Sequence, residues 1–298
     1  MRKLLVSKIG AKLLSPQVAV YVILGVVLLI AQMASPGYLA PNHVAGILRL
    51  SSFLGIAAIG QTFAILIGGI DLSIANTITF SNIIAAQLMA GSNSNMVIAL
   101  LAVLFMGVVV GVINASGIRY LKIPPFIMTL GVGTIIRGIF LIFTSGTPKG
   151  NAAPLLRAFC GQSLYGFVSG IVLMWLFLSV VVVLVLKRMP FGRRVYSIGT
   201  NEQASQYSGI ATKRIVFAVY VLSAVFSALA GYFLVGYTGT SFLDVGTEYN
   251  TTTIAAVVIG GTAITGGKGG YVGTIAGAIM MTVLNDFLTI VNIPTAGR

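Results

Sequence analysis

Charged residues are scarce in this chain, and acidic residues are the scarcest of them. Charged residues make up 8% of the 298 positions, and only five of them are Asp or Glu. A soluble domain carries about 25% charged residues. Because hydrophobic residues account for 57% of this chain, a water-soluble fold is excluded.

The groups that carry enzyme chemistry are also few. The chain has one His, one Cys and five acids that lie far apart, which are His43, Cys160, Asp71, Glu202, Asp244, Glu248 and Asp286. No HExxH motif, paired cysteines or Ser-His-Asp set can be assembled from them. We therefore predict no catalytic, metal-binding or cofactor-binding residues, and no enzymatic activity.

One stretch has part of the pattern of a phosphate-binding loop, residues 261–269. A Walker A loop requires Gly where this chain has Thr262, and Ser or Thr where it has Gly269. The loop is therefore not a nucleotide site. Any ATP chemistry must therefore come from another subunit.

Long apolar runs are what the chain does have. A membrane-spanning helix needs about 20 mainly apolar residues. The run lengths predict an all-α integral membrane protein, a polytopic helical bundle with about nine spans over residues 18–291, a short arm at 1–17 and a tail at 292–298. The predicted spans are 18–34, 44–67, 74–90, 96–116, 126–144, 168–186, 215–235, 251–265 and 271–291.

The positions of the basic residues predict the orientation, since short cytoplasmic loops carry an excess of Lys and Arg. With the N-terminus in the cytoplasm, only Lys149, Arg157 and Arg298 of the 18 basic residues fall outside. The inside residues are Arg2, Lys3, Lys8, Lys12, Arg119, Lys122, Lys187, Arg188, Arg193, Arg194, Lys213, Arg214 and Lys268. The basic residues that give the net charge of +13 therefore face the cytoplasm and the membrane lipid, and we predict no nucleic acid partner.

Two glycine-rich segments interrupt the apolar pattern. In the first, Gly68, Gly69, Asp71 and Ser73 break the run from 54 to 88. Irregular backbone at membrane depth needs protein or a water-filled cavity around it, so this segment is a candidate pathway or helix break. The alternative is a cytoplasmic turn in which Ser73 or Asp71 caps the next helix. The second segment, 260–270, is either a loop that carries Lys268 or part of a substrate site.

The longest inside loop, 187–214, has a pattern of its own. Thr200 and Gln203 have the spacing of a capping box, residues 204–208 can form a short helix, and Gly209 can end it. The pattern predicts a short helix parallel to the membrane. It fits a docking element for a partner or a solvated surface helix equally well.

At this loop the sequence resembles a known family. FGRRVYSIGTNEQA at 191–204, followed by SGI at 208–210, is similar to the signature loop of ribose-type sugar permeases of ABC importers. The stretches GIDLS at 69–73, PPFIMTLG at 124–131, and GGT at 260–262 with GG at 266–267 agree with it. The resemblance extends from about 38 to 286.

The resemblance implies a multi-pass inner-membrane permease that works with a second copy or a paralogue, with ABC ATPase subunits inside and a sugar-binding protein outside. It also implies a coupling helix formed by Gly199, Thr200, Asn201, Glu202, Gln203, Ser208 and Gly209. Family members have about ten spans, so the chain is expected to lack the last one.

The resemblance favours ATP-driven import of a simple sugar, such as a ribose-like pentose or a hexose. Import of branched-chain amino acids or nucleosides through a related permease is one alternative. An ion-coupled carrier is another, and its candidate coupling groups are Asp71, Arg49, Arg137 and Asp286.

Overall fold

The computed structural model of the protein describes residues 16–164 and 168–291, and these are mainly helical. The helices are α1 (Pro16–Ala34), α2 (Pro41–Leu66), α3 (Ile74–Met89), α4 (Met96–Arg119), α5 (Pro125–Thr144), α6 (Pro154–Gly161), α7 (Gly170–Arg188), α8 (Pro190–Thr200), α9 (Glu202–Tyr207), α10 (Thr212–Thr238), α11 (Tyr249–Ile259) and α12 (Tyr271–Ile290). A 3₁₀ turn at Asn93–Asn95 precedes α4, and β1 (Ser163–Leu164) pairs with β2 (Val168–Ser169) in an antiparallel hairpin.

The apolar helices identify a multi-pass membrane protein. Within the described residues, six helices are long and apolar enough to cross a membrane, and they are α2, α4 with its 3₁₀ turn, α5, α7, α10 and α12. Helices α1, α3 and α11 are shorter and also apolar. The predicted all-α class is confirmed, and each of these helices falls on a predicted span. The basic arm up to Lys12 and the tail at 292–298 lie outside the described residues.

The predicted span 251–265 is only partly helical. Helix α11 has 11 residues and ends at Ile259, so it is about 16 Å long, roughly half of a hydrocarbon core. Gly261 follows with a φ of +83°, a conformation that ends a helix. A Cβ on Gly260 would lie 2.5 Å from the carbonyl carbon of Gly273 in α12. The span prediction was therefore wrong at its C-terminal end, because glycine here serves a tight turn and close packing.

Helix α10 lies at the centre of the bundle and packs against α2, α3 and α4. In its most apolar stretch 61% of the residues are buried, against 28% in α5, which lies at the periphery. Close approach of α4 depends on Gly107 and Gly111, since a Cβ on Gly111 would lie 2.5 Å from the Cα of Val221. Their spacing is typical of helix pairs that approach closely in membranes.

The loops gather at two opposite ends of the bundle. At one end, the loops that contain Gly91 and Gly239 hydrogen-bond to the 145–153 loop. At the other end lie the 67–73 segment, α8, α9 and the 260–270 loop, where Gly267 bonds to Leu66. These are called the outer end and the coupling end below.

Candidate functional site

The 187–214 loop contains two helices rather than one. Helix α8 begins with Pro190 at its first turn and buries Gly192, Val195 and Ile198 on one face. Proline is well suited to this position because its missing N–H is not needed there. Only the second helix, α9, was predicted. The proline and the three-residue spacing of the buried positions are the signals that could have revealed α8.

The cap of α9 is Asn201, and the predicted capping box was wrong. The Asn201 Oδ1 accepts a hydrogen bond from the amide of Ala204 at 2.9 Å. Thr200 still belongs to α8, and its hydroxyl donates to the carbonyl of Tyr196. A cap must lie outside the helical conformation, which Asn201 does with its φ of −162°. With Asn201 as the cap, the third residue of α9 is Ala204, so Gln203 is one residue out of register for a capping box.

Gly209 ends α9 as its residue type suggested. Its φ is +81°, its amide donates to Gln206, and the amide of Ile210 donates to Ser205. The hydroxyl of Ser208 donates to the carbonyl of Ala204 at 2.9 Å. These bonds give α9 a defined end before α10 begins.

Two contacts hold α9 to the bundle while its outer surface stays exposed. The hydroxyls of Ser205 and Ser197 lie 2.8 Å apart and join α9 to α8. The Arg119 guanidinium, at the end of α4, donates to Glu202 at 2.6 Å. On the other face the ring of Tyr207 is 90% exposed. Helix α9 is therefore an anchored element with an aromatic side chain facing away from the protein.

The two glycine-rich segments meet at α8. The amide of Gly267 donates to the carbonyl of Leu66, where α2 ends, at 2.9 Å. A Cβ on Gly199 would collide with that same carbonyl oxygen and would lie 2.5 Å from the Gly267 amide nitrogen. We call these three residues the glycine junction. It brings the coupling loop into direct contact with both broken segments of the bundle.

Tyr196 adds a second bond at the glycine junction. Its hydroxyl donates to the carbonyl of Gly269 at 3.0 Å. Burial raises the pKa of Tyr196 above its ordinary value, so the hydroxyl keeps the proton that it donates at neutral pH. Helix α8 is thus bonded by its side chain, as well as packed by its backbone, to the 260–270 loop.

The 67–73 segment is organised by Asp71, which is fully buried in the bundle. Its Oδ1 accepts from the amide of Ser73 at 2.9 Å and from the Ser73 hydroxyl at 2.6 Å. Its Oδ2 accepts from the hydroxyl of Ser223 in α10 at 2.6 Å. Asn114 of α4 donates to the Ser73 hydroxyl at 2.9 Å. One carboxylate therefore ties the break between α2 and α3 to two neighbouring helices.

The alternative interpretation was a turn in which Ser73 or Asp71 caps the next helix, and of these two side chains only Asp71 bonds a backbone amide there, that of Ser73 at 2.9 Å. Ser73 stands at the N-cap position of α3 but makes no side-chain capping bond, because its hydroxyl donates to Asp71 instead. Gly68 has a φ of +78°, as an irregular turn requires, and Gly69 lies against the hydroxyl of Tyr220.

A polar cleft of about 500 Å³ lies toward the outer end, between α2, α11 and α12. Its polar lining includes Glu248, Thr252, Thr282, Asn285 and Asp286. Polar side chains on membrane helices usually face a bundle interior or a pathway for solutes. Sequence reasoning missed this cleft, since its residues belong to three helices that are distant along the chain.

Two side-chain contacts between a basic residue type and an acid also join residues that are distant in sequence. His43 Nε2 lies 3.2 Å from Asp286 Oδ2 and links α2 to α12, while Arg119 and Glu202 link α4 to α9. Within residues 16–164 and 168–291, no three His, Cys, Asp or Glu residues cluster as metal ligands would.

Comparison with known proteins places this architecture in a family. The family described as "Branched-chain amino acid transport system / permease component" matches residues 43–297. A ribose import permease of Haemophilus influenzae is 35% identical over 92% of this chain and 85% of its own length. The chain belongs to the ribose-type family of ABC transporter permeases.

Other relatives match this permease over a similar share of both chains. A ribose import permease of Bacillus subtilis is 34% identical over 90% of this chain and 83% of its own. A D-allose transport system permease of Escherichia coli is 30% identical over 92% and 84%. No solved structure matches the permease significantly.

Proposed function

We propose that this permease is the transmembrane subunit of an ATP-driven ABC importer that carries a simple sugar across the inner membrane. The observation that carries the proposal is the similarity, over nine-tenths of the chain, to permeases named for ribose and allose. ATP and Mg²⁺ would be bound by partner ATPase subunits, and a sugar-binding protein would deliver the substrate from outside.

The proposed orientation places the N-terminus, the 1–17 arm and the 187–214 loop in the cytoplasm, with nine spans between the two sides. The excess of basic residues at the coupling end supports it, since Arg119, Arg193 and Lys213 all lie there. The outer end, with Lys149 and the β1–β2 hairpin, would face the binding protein.

In this proposal α9 is the helix that the ATPase moves, and Gly199 to Gly209 form the coupling element. The exposed ring of Tyr207 supports this role, because aromatic side chains are common anchors at protein interfaces. The contacts of Ser205 with Ser197 and of Gly199 with Leu66 provide a packed route from α9 to the ends of α2 and α12. Displacement of α9 would be transmitted through the glycine junction.

The outer cleft is the proposed contact site for the sugar. Thr252, Thr282 and Asn285 offer hydroxyl and amide groups, and Glu248 offers a carboxylate, which match the donors and acceptors of a sugar's hydroxyl groups. Asp71 does not line this cleft. Its buried bonds support a structural role in holding the helix break rather than contact with substrate. A second copy of the permease, or a paralogue, would complete the pathway.

The experiment is uptake into proteoliposomes that contain the permease with its co-purifying ATPase and binding protein. We expect binding-protein-dependent, ATP-dependent uptake of labelled ribose, allose or galactose. Leucine uptake in the same vesicles would instead support the amino acid importer that the family description suggests. Uptake driven by an ion gradient without ATP would overturn the importer assignment.

A matched pair of threonine variants tests the cleft. The hydroxyls of Thr282 and Thr134 each donate to the carbonyl four residues earlier, at 3.0 and 2.9 Å, but only Thr282 lines the cleft. Thr282→Val should raise the KM for sugar uptake severalfold, and Thr134→Val should leave it unchanged. Equal KM values for the two variants would exclude Thr282 from the pathway.

A further inference from the structure

A second cleft, at the coupling end, is rich in positive charge. It lies between the α4–α5 turn and the start of α10, has a volume of about 540 Å³, and is lined by Arg119, Lys122, Lys213 and a single acid, Glu202. Glu202 pairs with Arg119. Lys122 and Lys213 are exposed and have no ion-pair partner among the described residues. We call this the basic cleft.

Two buried donors at the basic cleft lack an acceptor. Tyr220 lines its floor beside Gly69 and is fully buried, yet its hydroxyl has no hydrogen-bond partner in the described part of the chain. The Nε of Arg119 is likewise buried without a partner, although its terminal nitrogens reach Glu202 and Thr212. Unpaired buried donors are costly. The basic cleft therefore favours a ligand that brings acceptor oxygens and negative charge.

The α4–α5 turn that lines the basic cleft carries exposed aromatic and apolar side chains at and beside the lining residues, and these form an apolar rim. Tyr120, Leu121 and Phe126 are 68%, 71% and 54% exposed, on the turn and first residues that follow Arg119. Aromatic residues are enriched at the level of lipid headgroups in membrane proteins. A ligand here meets basic groups inside the cleft and apolar groups beside it.

We propose that the basic cleft binds the phosphate of an anionic phospholipid, such as phosphatidylglycerol, from the adjoining leaflet. Lys122 and Lys213 attract the phosphate, the Arg119 Nε–H and the Tyr220 hydroxyl supply donors, and the acyl chains lie over Leu121 and Phe126. A soluble phosphate compound would leave this apolar rim unused. Only the assignment to the cytoplasmic leaflet rests on the proposed orientation and function.

The bound phosphate shares Arg119 with Glu202, the first residue of α9. The lipid and the coupling helix therefore contact the same guanidinium. Membrane composition at this leaflet thus acts on the position of α9.

The test is native mass spectrometry of the full-length permease released from vesicles of phosphatidylglycerol and phosphatidylcholine in equal amounts. We expect the parental protein to retain phosphatidylglycerol preferentially. Lys122→Gln with Lys213→Gln should lower that retention roughly 25-fold, because each basic side chain near an anionic surface contributes about fivefold. Tyr220→Phe, which removes only the hydroxyl, should lower retention by a few-fold.

The matched control is Arg193→Gln with Arg194→Gln, which removes the same charge from the same end but outside the basic cleft. It should leave retention unchanged. Equal loss in the control, or no preference for phosphatidylglycerol in the parental protein, would overturn the proposal. Displacement of the lipid by soluble glycerol phosphate would assign the site to a soluble anion. If the lysine variant keeps the lipid but no longer co-purifies with the ATPase, the basic cleft is instead a contact site for that partner protein. None of these readouts requires sugar transport.

Discussion

The carbonyl oxygen of Leu66 accepts a hydrogen bond from the amide of Gly267 at 2.9 Å, across 200 residues of intervening chain. This bond joins the end of α2 to the loop before α12, and α8 lies against it through Gly199. Two interrupted helices and the coupling loop thus share one contact point. A change in the position of α8 must therefore affect at least one of the two interruptions.

Gly199→Ala tests that contact. The added methyl group would collide with the Leu66 carbonyl oxygen, and forced overpacking of this kind costs about 1–3 kcal/mol. We expect a lower thermal unfolding temperature of the purified permease and reduced uptake. Gly131→Ala is the control, since Gly131 is helical and a Cβ added there would have nothing within 4 Å. It should be neutral or slightly stabilising, and similar losses in both variants would argue against the glycine junction.

Gly209→Val tests the end of α9. A β-branched residue is strongly disfavoured at the φ of +81°, so the helix should lose its defined stop. We expect sugar-stimulated ATPase activity and uptake to fall at least tenfold, or the ATPase to dissociate during purification, while the protein still inserts in the membrane. Gly209→Asn should retain more activity, because Asn tolerates this conformation.

The control for Gly209→Val is Gly146→Val at the outer end. Gly146 has a φ of +72° and open space around it, so the backbone strain is similar but far from α9. It should leave coupling intact. Parental activity in Gly209→Val would show that the 187–214 loop is a solvated connector.

Asp71→Asn tests the carboxylate that holds the 67–73 segment. The Asn side chain has an acceptor oxygen at one end and an NH₂ donor at the other, so it cannot accept the hydrogen bonds of Ser73 and Ser223 with two separate oxygens as Asp71 does. A buried donor left without an acceptor costs about 1–3 kcal/mol. We expect a lower unfolding temperature and impaired uptake with normal membrane insertion. Ser223→Ala should have a smaller effect, and the double variant should be less than additive.

Ser227→Ala is the control for Ser223→Ala. The Ser227 hydroxyl donates only within its own helix, to the carbonyl of Ser223 at 2.8 Å. It should change neither uptake nor unfolding temperature appreciably. If Asp71→Asn also behaves like the parental protein, the carboxylate does not hold the break.

Reporter fusions test the proposed orientation. A fusion after Lys149 should report the outside and a fusion after Glu202 the cytoplasm, because basic residues are concentrated at the coupling end. The activities of a periplasmic and a cytoplasmic reporter at each site provide the measurement. The same side for both fusions would show that the number of spans between them is wrong.

Local features of the sequence were sufficient to predict much of the architecture. Apolar runs located the membrane helices, since burial in lipid requires about 20 apolar residues whatever the neighbouring helices are. The residue type of Gly209 indicated a helix end, because glycine alone adopts that conformation without strain. The spacing of Gly107 and Gly111 is typical of close helix packing, and α10 is the helix that they approach.

The tertiary structure alone decided which distant residues meet. The bond of Leu66 with Gly267, the pair of Arg119 with Glu202, and the hydrogen bond of Ser223 with Asp71 each join segments that no local pattern relates. The choice of Asn201 over Thr200 as the cap of α9 has the same origin. Helix α8 packs on the glycine junction and extends through Thr200, so Asn201 is the first residue with the extended backbone that a cap requires.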